Sequence, residues 1–196
     1  MDMPLTEEIA AAAARLVVEE GQDYGQAKRR ALRILGLPPR TVLPDNEQVE
    51  DAVREHIALF HAETQPAELH ALREIALRWM ERMADFRPHL AGAVWHGTAT
   101  RHSDVFVQLF CDDPKSAEIA LIDHGVDYDP QTITGFQGEP VEALGIVERS
   151  RTMGQAVGVH LVVYDYDDLR GALRLDGRGR TPRGDIAALR ARLAAD

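Results

Sequence analysis

The segment Gly92–Phe110, GAVWHGTATRHSDVFVQLF, gathers the residue types that phosphate chemistry uses. Gly92 and Ala93 are small, so backbone there can approach a ligand closely. Beyond the turn through His96, Gly97 and Thr98, the hydroxyls of Thr98, Thr100 and Ser103 and the nearby backbone N–H groups suit phosphate oxygens. Asp104 then opens an apolar run. Strand alternation along DVFVQL places Asp104, Phe106 and Gln108 on one face and Val105, Val107 and Leu109 on the other. The Asp104 carboxylate can hold a cation, and it can also cap a turn after Ser103. Phe106, two residues on, offers only an aromatic ring.

Other chemistry finds less support. The eight histidines form no recognisable metal motif. His56 and His61 stand five apart, off the i, i+4 spacing that brings two side chains to one helix face. Cys111, the single cysteine, ends an apolar run and reads as a small buried hydrophobe. GQAVGVH places its glycines before a strand, whereas a dinucleotide fingerprint belongs after one. ATP-dependent ligation, such as alanine addition to a peptidoglycan precursor, uses a lysine at the end of a glycine-rich phosphate loop. Lys28 and Lys115 are the only lysines, and neither follows such a loop, so a peptidoglycan-precursor alanine ligase role is unsupported.

The elements that must position these residues change character along the chain. Residues 1–88 read as helical. The first helix is expected from Thr6, with an acidic first turn, to a stop at Gly21, and the second from Asp23, with Gln26 in capping-box position, to Gly36. LPPR and LPD make a rigid connector. A third helix runs from about Asn46 through EQVEDAVREHIALFHAE. A fourth begins near Pro66, and its stripe of Leu69, Leu72, Ile75, Ala76, Trp79, Met80 and Met83 has the spacing of a core face. From residue 89 to 196 the pattern is mixed. LAGAVW, DVFVQLF, VEALGIVE and VGVHLVVYD read as strands. DDPKSAEIALIDHG reads as a helix capped by Asp113, with Pro114 in its first turn and Gly125 as its stop. DDLRGAL and RGDIAALRARLAA are expected as closing helices. The fold class is therefore α+β, an N-terminal helical region followed by a mixed sheet with flanking helices.

Composition bounds the partners. The 196 residues carry a net charge of −10, which opposes non-specific binding to nucleic acid or to an anionic membrane. AKRRALR and RLDGRGRTPRGD are local basic exceptions and read as solvated surface, the second flexible enough to meet a phosphate. No run reaches the roughly 18 apolar residues of a membrane span. MDMPLTEE lacks the basic segment of a secretory signal. A soluble cytoplasmic protein is expected.

The Gly92–Phe106 segment resembles the signature of the nucleotidyltransferase superfamily, the DNA polymerase beta-like fold. That signature is a small pair, about ten residues, and Asp-x-Asp on the next strand; small stand-alone members read like G-S-x-x-R-G-T-A-x-x-x-S-D-x-D. Here the small pair Gly92-Ala93, the triplet Gly97-Thr98-Ala99 and the pair Ser103-Asp104 fall at matching offsets. VGVHLVVYDYDDL is similar to the family's later acidic strand. The resemblance covers about Leu90 to Leu169. It implies a nucleotide-binding cradle at Gly92, Ala93, Gly97, Thr98 and Ser103, with Asp104 as catalytic residue and metal ligand. In the family three carboxylates hold two Mg²⁺ ions that orient a nucleoside triphosphate and stabilise departing pyrophosphate. Here the second position is Phe106 and the third is His160, so two of three carboxylates are missing.

Three readings are consistent with this pattern. The first is a catalytically degenerate nucleotidyltransferase-like protein that binds a nucleotide, or a protein partner through its helical region, with Phe106 filling the space of the lost ligand. The second is an active enzyme moving a nucleoside monophosphate onto a small molecule or protein. Its atypical site would use Mg²⁺ or Mn²⁺, with Asp104 and His160 as ligands or with Asp112, Asp113, Glu118 or Asp165 replacing a lost carboxylate. The third is an α+β domain whose match is accidental.

Overall fold

The computed structural model describes residues 4–196. They form two compact units, one from residues up to Ala67 together with Thr98–Ser103, the other from Glu68–Gly97 and Asp104–Asp196. The expected seam at residues 88–89 is thus not where the units part. The break falls inside the fourth helix, because the helix's apolar stripe is buried with the later elements, and six residues of the signature loop return to the helical unit.

In the first unit, α1 (Leu5–Glu20), α2 (Tyr24–Ile34) and α3 (Asn46–Phe60) pack around Ile9, Ala13, Leu16, Ala27, Ala31, Val49 and Val53. Thr6 lies inside α1 instead of capping it, since the Pro4 carbonyl already accepts from Glu7 and Glu8. Gly21, at φ 66°, stops α1 as expected. Asp23 caps α2 by accepting from the Gln26 N–H at 2.8 Å. The reciprocal capping box is at Asp45 and Gln48, where each side chain accepts from the other's backbone N–H. α3 stops at Phe60, short of the expected HAE, because His61 leaves the helical path at φ −130°.

α4 (Gln65–Arg82) carries the predicted stripe, and Leu69, Leu72, Ile75, Ala76, Trp79, Met80 and Met83 are all buried. β1 (His89–Ala91) takes in only Leu90 and Ala91 of the expected LAGAVW strand. Gly92, at φ 72°, swings the chain out of the sheet into the one-turn α5 (Gly92–His96). Then come β2 (Val105–Cys111), α6 (Ser116–Asp123), β3 (Asp129–Thr134), β4 (Pro140–Ser150) and β5 (Gln155–Asp165). α7 (Leu169–Ala172), β6 (Arg183–Gly184) and α8 (Ile186–Ala195) complete the unit. α6 starts later than expected: Asp113 caps the preceding turn, accepting from the Lys115 N–H at 2.9 Å.

The six strands form one sheet in the order β3-β4-β5-β2-β1-β6. β2 and β5 pair in parallel, and the other neighbours pair antiparallel, so the sheet is mixed. One face carries Val105, Val107, Leu109, Val159 and Leu161, all fully buried. Trp79 of α4 reaches this side and donates its indole N–H to Glu148 of β4. The far half of the opposite face is closed by a second cluster of Phe110, Ala143, Val162, Tyr164 and Ala172. Among the described residues, no helix is long and apolar enough to cross a membrane.

Candidate functional site

Asp104 and His160 meet on the open half of that second face. Parallel register sets Phe106 beside His160, and Asp104 precedes β2 at the same end. The Asp104 side chain lies across β5 at Gly158, where a Cβ would stand 2.8 Å from the carboxylate carbon. This lets Asp104 Oδ2 hydrogen-bond His160 Nε2 at 2.8 Å. Phe106 stacks on the His160 ring, with centroids 4.7 Å apart and planes 14° from parallel. The Asp104 side chain is 48% exposed and that of His160 only 16%. Val147, which pairs with Gly158 in register, is exposed at the same end.

The same face holds several buried polar atoms without hydrogen-bond partners. They are His160 Nδ1, Gln108 Oε1 and Arg183 Nε. Cross-strand register places Arg183, Ala91, Phe106 and His160 in one row, and Gln108 is two residues along β2 from Phe106. The Arg183 guanidinium lies over the Phe136 ring at 4.9 Å, and burial holds its pKa below the ordinary arginine value. The face is thus a row of flat groups edged by one carboxylate, with unmatched polar atoms beneath it.

The proposed cradle residues divide. Gly92 points its open side at Phe106, with a Cβ position 4.0 Å from the ring, and so joins Asp104, Phe106 and His160. Ala93 follows it in α5. Gly97, at φ 84°, ends α5 and faces Arg73 and Leu69. Arg73 and Arg192 both donate to the Trp95 carbonyl at the end of α5, and Arg192 stacks 3.6 Å over the Trp95 ring. Thr98 and Ser103 belong with the helical unit. There Thr98 is buried, the Thr100 hydroxyl donates to the Val18 carbonyl at 3.2 Å, and Ser103 Oγ accepts from the Thr100 N–H at 2.9 Å. These hydroxyls hold the loop's own conformation.

The four carboxylates considered as replacement ligands have other partners. Asp112 pairs with Arg87 at 3.6 Å, Asp113 and Asp165 cap turns, and Glu118 accepts from the Tyr128 hydroxyl at 2.7 Å. Among the described residues, no third carboxylate, imidazole or thiol gathers with Asp104 and His160 at metal-holding distance. One carboxylate and one imidazole do not fit Mg²⁺, which requires hard oxygen ligands in near-octahedral array. Cys111 is 1% exposed, and burial pushes its thiol pKa up, in keeping with a packing residue.

One trio escaped the sequence reading. Glu19, His56 and His61 bring one ligand atom each to within 4.8 Å of one another in the helical unit. The spacing rule that set His56 and His61 apart assumes an unbroken helix, and His61 lies just beyond its end. Pro66, which suits the first turn of a new helix, was the available signal that the third helix stops before it. No protein-family model matches the chain, and no curated protein matches it.

Proposed function

We propose that this is a catalytically degenerate nucleotidyltransferase-like protein that binds a nucleotide on the Asp104–Phe106–His160 face. The observation that carries the reading is the stacked Phe106–His160 pair beside the Asp104 carboxylate. In place of a cage of oxygen ligands it offers flat groups of the kind on which bases stack, worth about 1–3 kcal/mol per base in single-stranded nucleic-acid binders. The half-exposed Asp104 carboxylate would accept a hydrogen bond from a ribose hydroxyl. The unmatched Gln108, His160 and Arg183 atoms lie buried beneath the face, so a ligand would reach them only by displacing the rings above. Gly92 leaves room above the ring. No metal step is assigned, because the donor set does not suit Mg²⁺.

Calorimetry with each of the four ribonucleoside triphosphates, with and without Mg²⁺ or Mn²⁺, tests the reading on wild type, Asp104→Ala and Phe106→Ala. Metal-independent binding weakened in both variants supports it. Metal-dependent binding accompanied by pyrophosphate release would replace it with the active-enzyme reading. Absence of binding by any nucleotide overturns both.

A further inference from the structure

The helical unit holds a second constellation that the nucleotide reading does not use. Glu19 lies in the last turn of α1, His56 one turn before the end of α3, and His61 just past that end. Glu19 Oε1 meets His56 Nε2 at 3.0 Å and His61 Nε2 at 2.8 Å. Two imidazoles therefore converge on one carboxylate oxygen, and their hydrogen bonds, His56 first, hold the Glu19 pKa below its ordinary value. A residue five positions on along a continuous helix would point about 140° away. The turn of the chain at His61 cancels that offset. The imidazoles are mostly shielded, with 16% and 27% of their side chains exposed, and the His56 ring is further fixed against Phe60 at 4.7 Å. All three residues line one groove of about 850 Å³, whose wall also carries Arg15, Arg30 and Ile34.

We propose that Glu19, His56 and His61 form a binding site for a divalent transition metal of the zinc class, with its remaining coordination position open to this groove. Two imidazoles and a carboxylate are a zinc ligand set, and three protein ligands with one open place distinguish exchangeable sites from closed structural ones. Imidazole ligation selects zinc-like cations over Mg²⁺ and Ca²⁺. Zinc–nitrogen and zinc–oxygen bonds of about 2.0–2.2 Å put neighbouring ligand atoms somewhat over 3 Å apart. The two imidazole nitrogens already stand near that distance from Glu19 Oε1, so loading takes small side-chain rotations. The protons balance simply: each ring gives up hydrogen at Nε2 and keeps or gains it at Nδ1, and a ring that was imidazolium releases one proton. The open place takes water or an anionic group; Arg15 lines the groove beside it, and Arg30 there is paired with Glu20.

The test is Zn²⁺ titration of tag-free, metal-stripped protein by calorimetry, with Co²⁺ absorption reporting coordination geometry. The expected result is one Zn²⁺ per chain, tetrahedral Co²⁺ bands and no competition from Mg²⁺. His61→Gln and Glu19→Gln retain hydrogen-bonding side chains, and each, touching a ligand itself, is expected to weaken Zn²⁺ binding by at least the roughly 100-fold upper end seen for outer-shell changes. Circular dichroism checks that both variants remain folded. Asp104→Ala leaves the titration unchanged, which separates this site from the nucleotide face. No Zn²⁺ uptake by folded wild type overturns the proposal, as does uptake insensitive to the trio's variants or abolished by Asp104→Ala.

Discussion

The Asp104 carboxylate occupies the space that a side chain at Gly158 would need: all three carboxylate atoms lie 2.7–2.9 Å from the Cβ position there. The hydrogen bond that Asp104 accepts from His160 thus depends on a missing methyl group on the neighbouring strand. Gly158→Ala is expected to drive Asp104 off His160 and to cost about 1–3 kcal/mol through overpacking. Urea denaturation gives the stability loss, and nucleotide calorimetry on the same variant shows whether the Asp104 position sets affinity. An unchanged urea midpoint would mean that Asp104 yields freely.

His89 gives the fold an acid sensitivity. Its ring is buried against Phe110, edge to face at 5.6 Å, with Nδ1 at 2.8 Å from the Arg87 carbonyl. Burial is the main cause holding its pKa below the ordinary 6.5; the hydrogen bond to the Arg87 carbonyl and the Asp185 charge oppose it, and Arg183 pushes the same way. The unfolded chain therefore takes up the proton first as pH falls. The stability contributed is complete above about pH 6.5 and is lost as pH descends through the folded value. Urea midpoints measured from pH 7.5 to 5 should fall, and His89→Phe should flatten that part of the profile.

Trp79 and Glu148 tie α4 to the sheet. Glu148→Ala leaves the buried indole N–H without its acceptor and is expected to cost about 1–3 kcal/mol. Trp79→Phe removes the same bond from the other side. In a double-mutant cycle by urea denaturation, the double variant should lose less than the sum of the two singles. Strict additivity would show that the bond contributes nothing.

Arg73, 4% exposed, donates to the carbonyls of Val94 and Trp95 and forms a two-pronged bond to Asp196 at 2.8 and 2.9 Å. Arg73→Met is expected to destabilise the protein by about 2–3 kcal/mol. Amide exchange in α5 should accelerate more than exchange in β2, because Arg73 holds the last carbonyls of that helix. Uniform acceleration would assign the loss to global stability alone.

What could be read in the sequence follows from where periodicity is strong. The α4 stripe is legible because seven apolar residues repeat at helical spacing and all are buried. β2 and β5 are legible as runs of β-branched and apolar residues. β3 is not: DPQTIT is an edge strand, exposed along most of its length, so neither face leaves an apolar record. It exists through pairing with β4. α5 hides inside LAGAVW because the local preference of that run is extended, and only the positive φ of Gly92 turns it. At the candidate site, the family resemblance named Asp104 and His160 as joint metal ligands; in the structure they share a hydrogen bond, and nothing in the sequence showed that Gly158 makes the room. The Glu19 trio lies beyond any spacing rule, since its members come from two helices and a helix end.

The return of Thr98–Ser103 to the helical unit makes that unit a discontinuous piece of chain. The Val18 carbonyl receives the Thr100 hydroxyl, and the Gln65 amide donates to the Ala99 carbonyl at 2.8 Å. Gly21 packs so closely on the His102 carbonyl that no other residue fits. The helices therefore cannot be cut out and grafted as a cassette: a fragment ending at Ala67 would lack the plug that completes it. Recombination that exchanged the first 67 residues alone would have to supply a matching segment at Thr98–Ser103 as well.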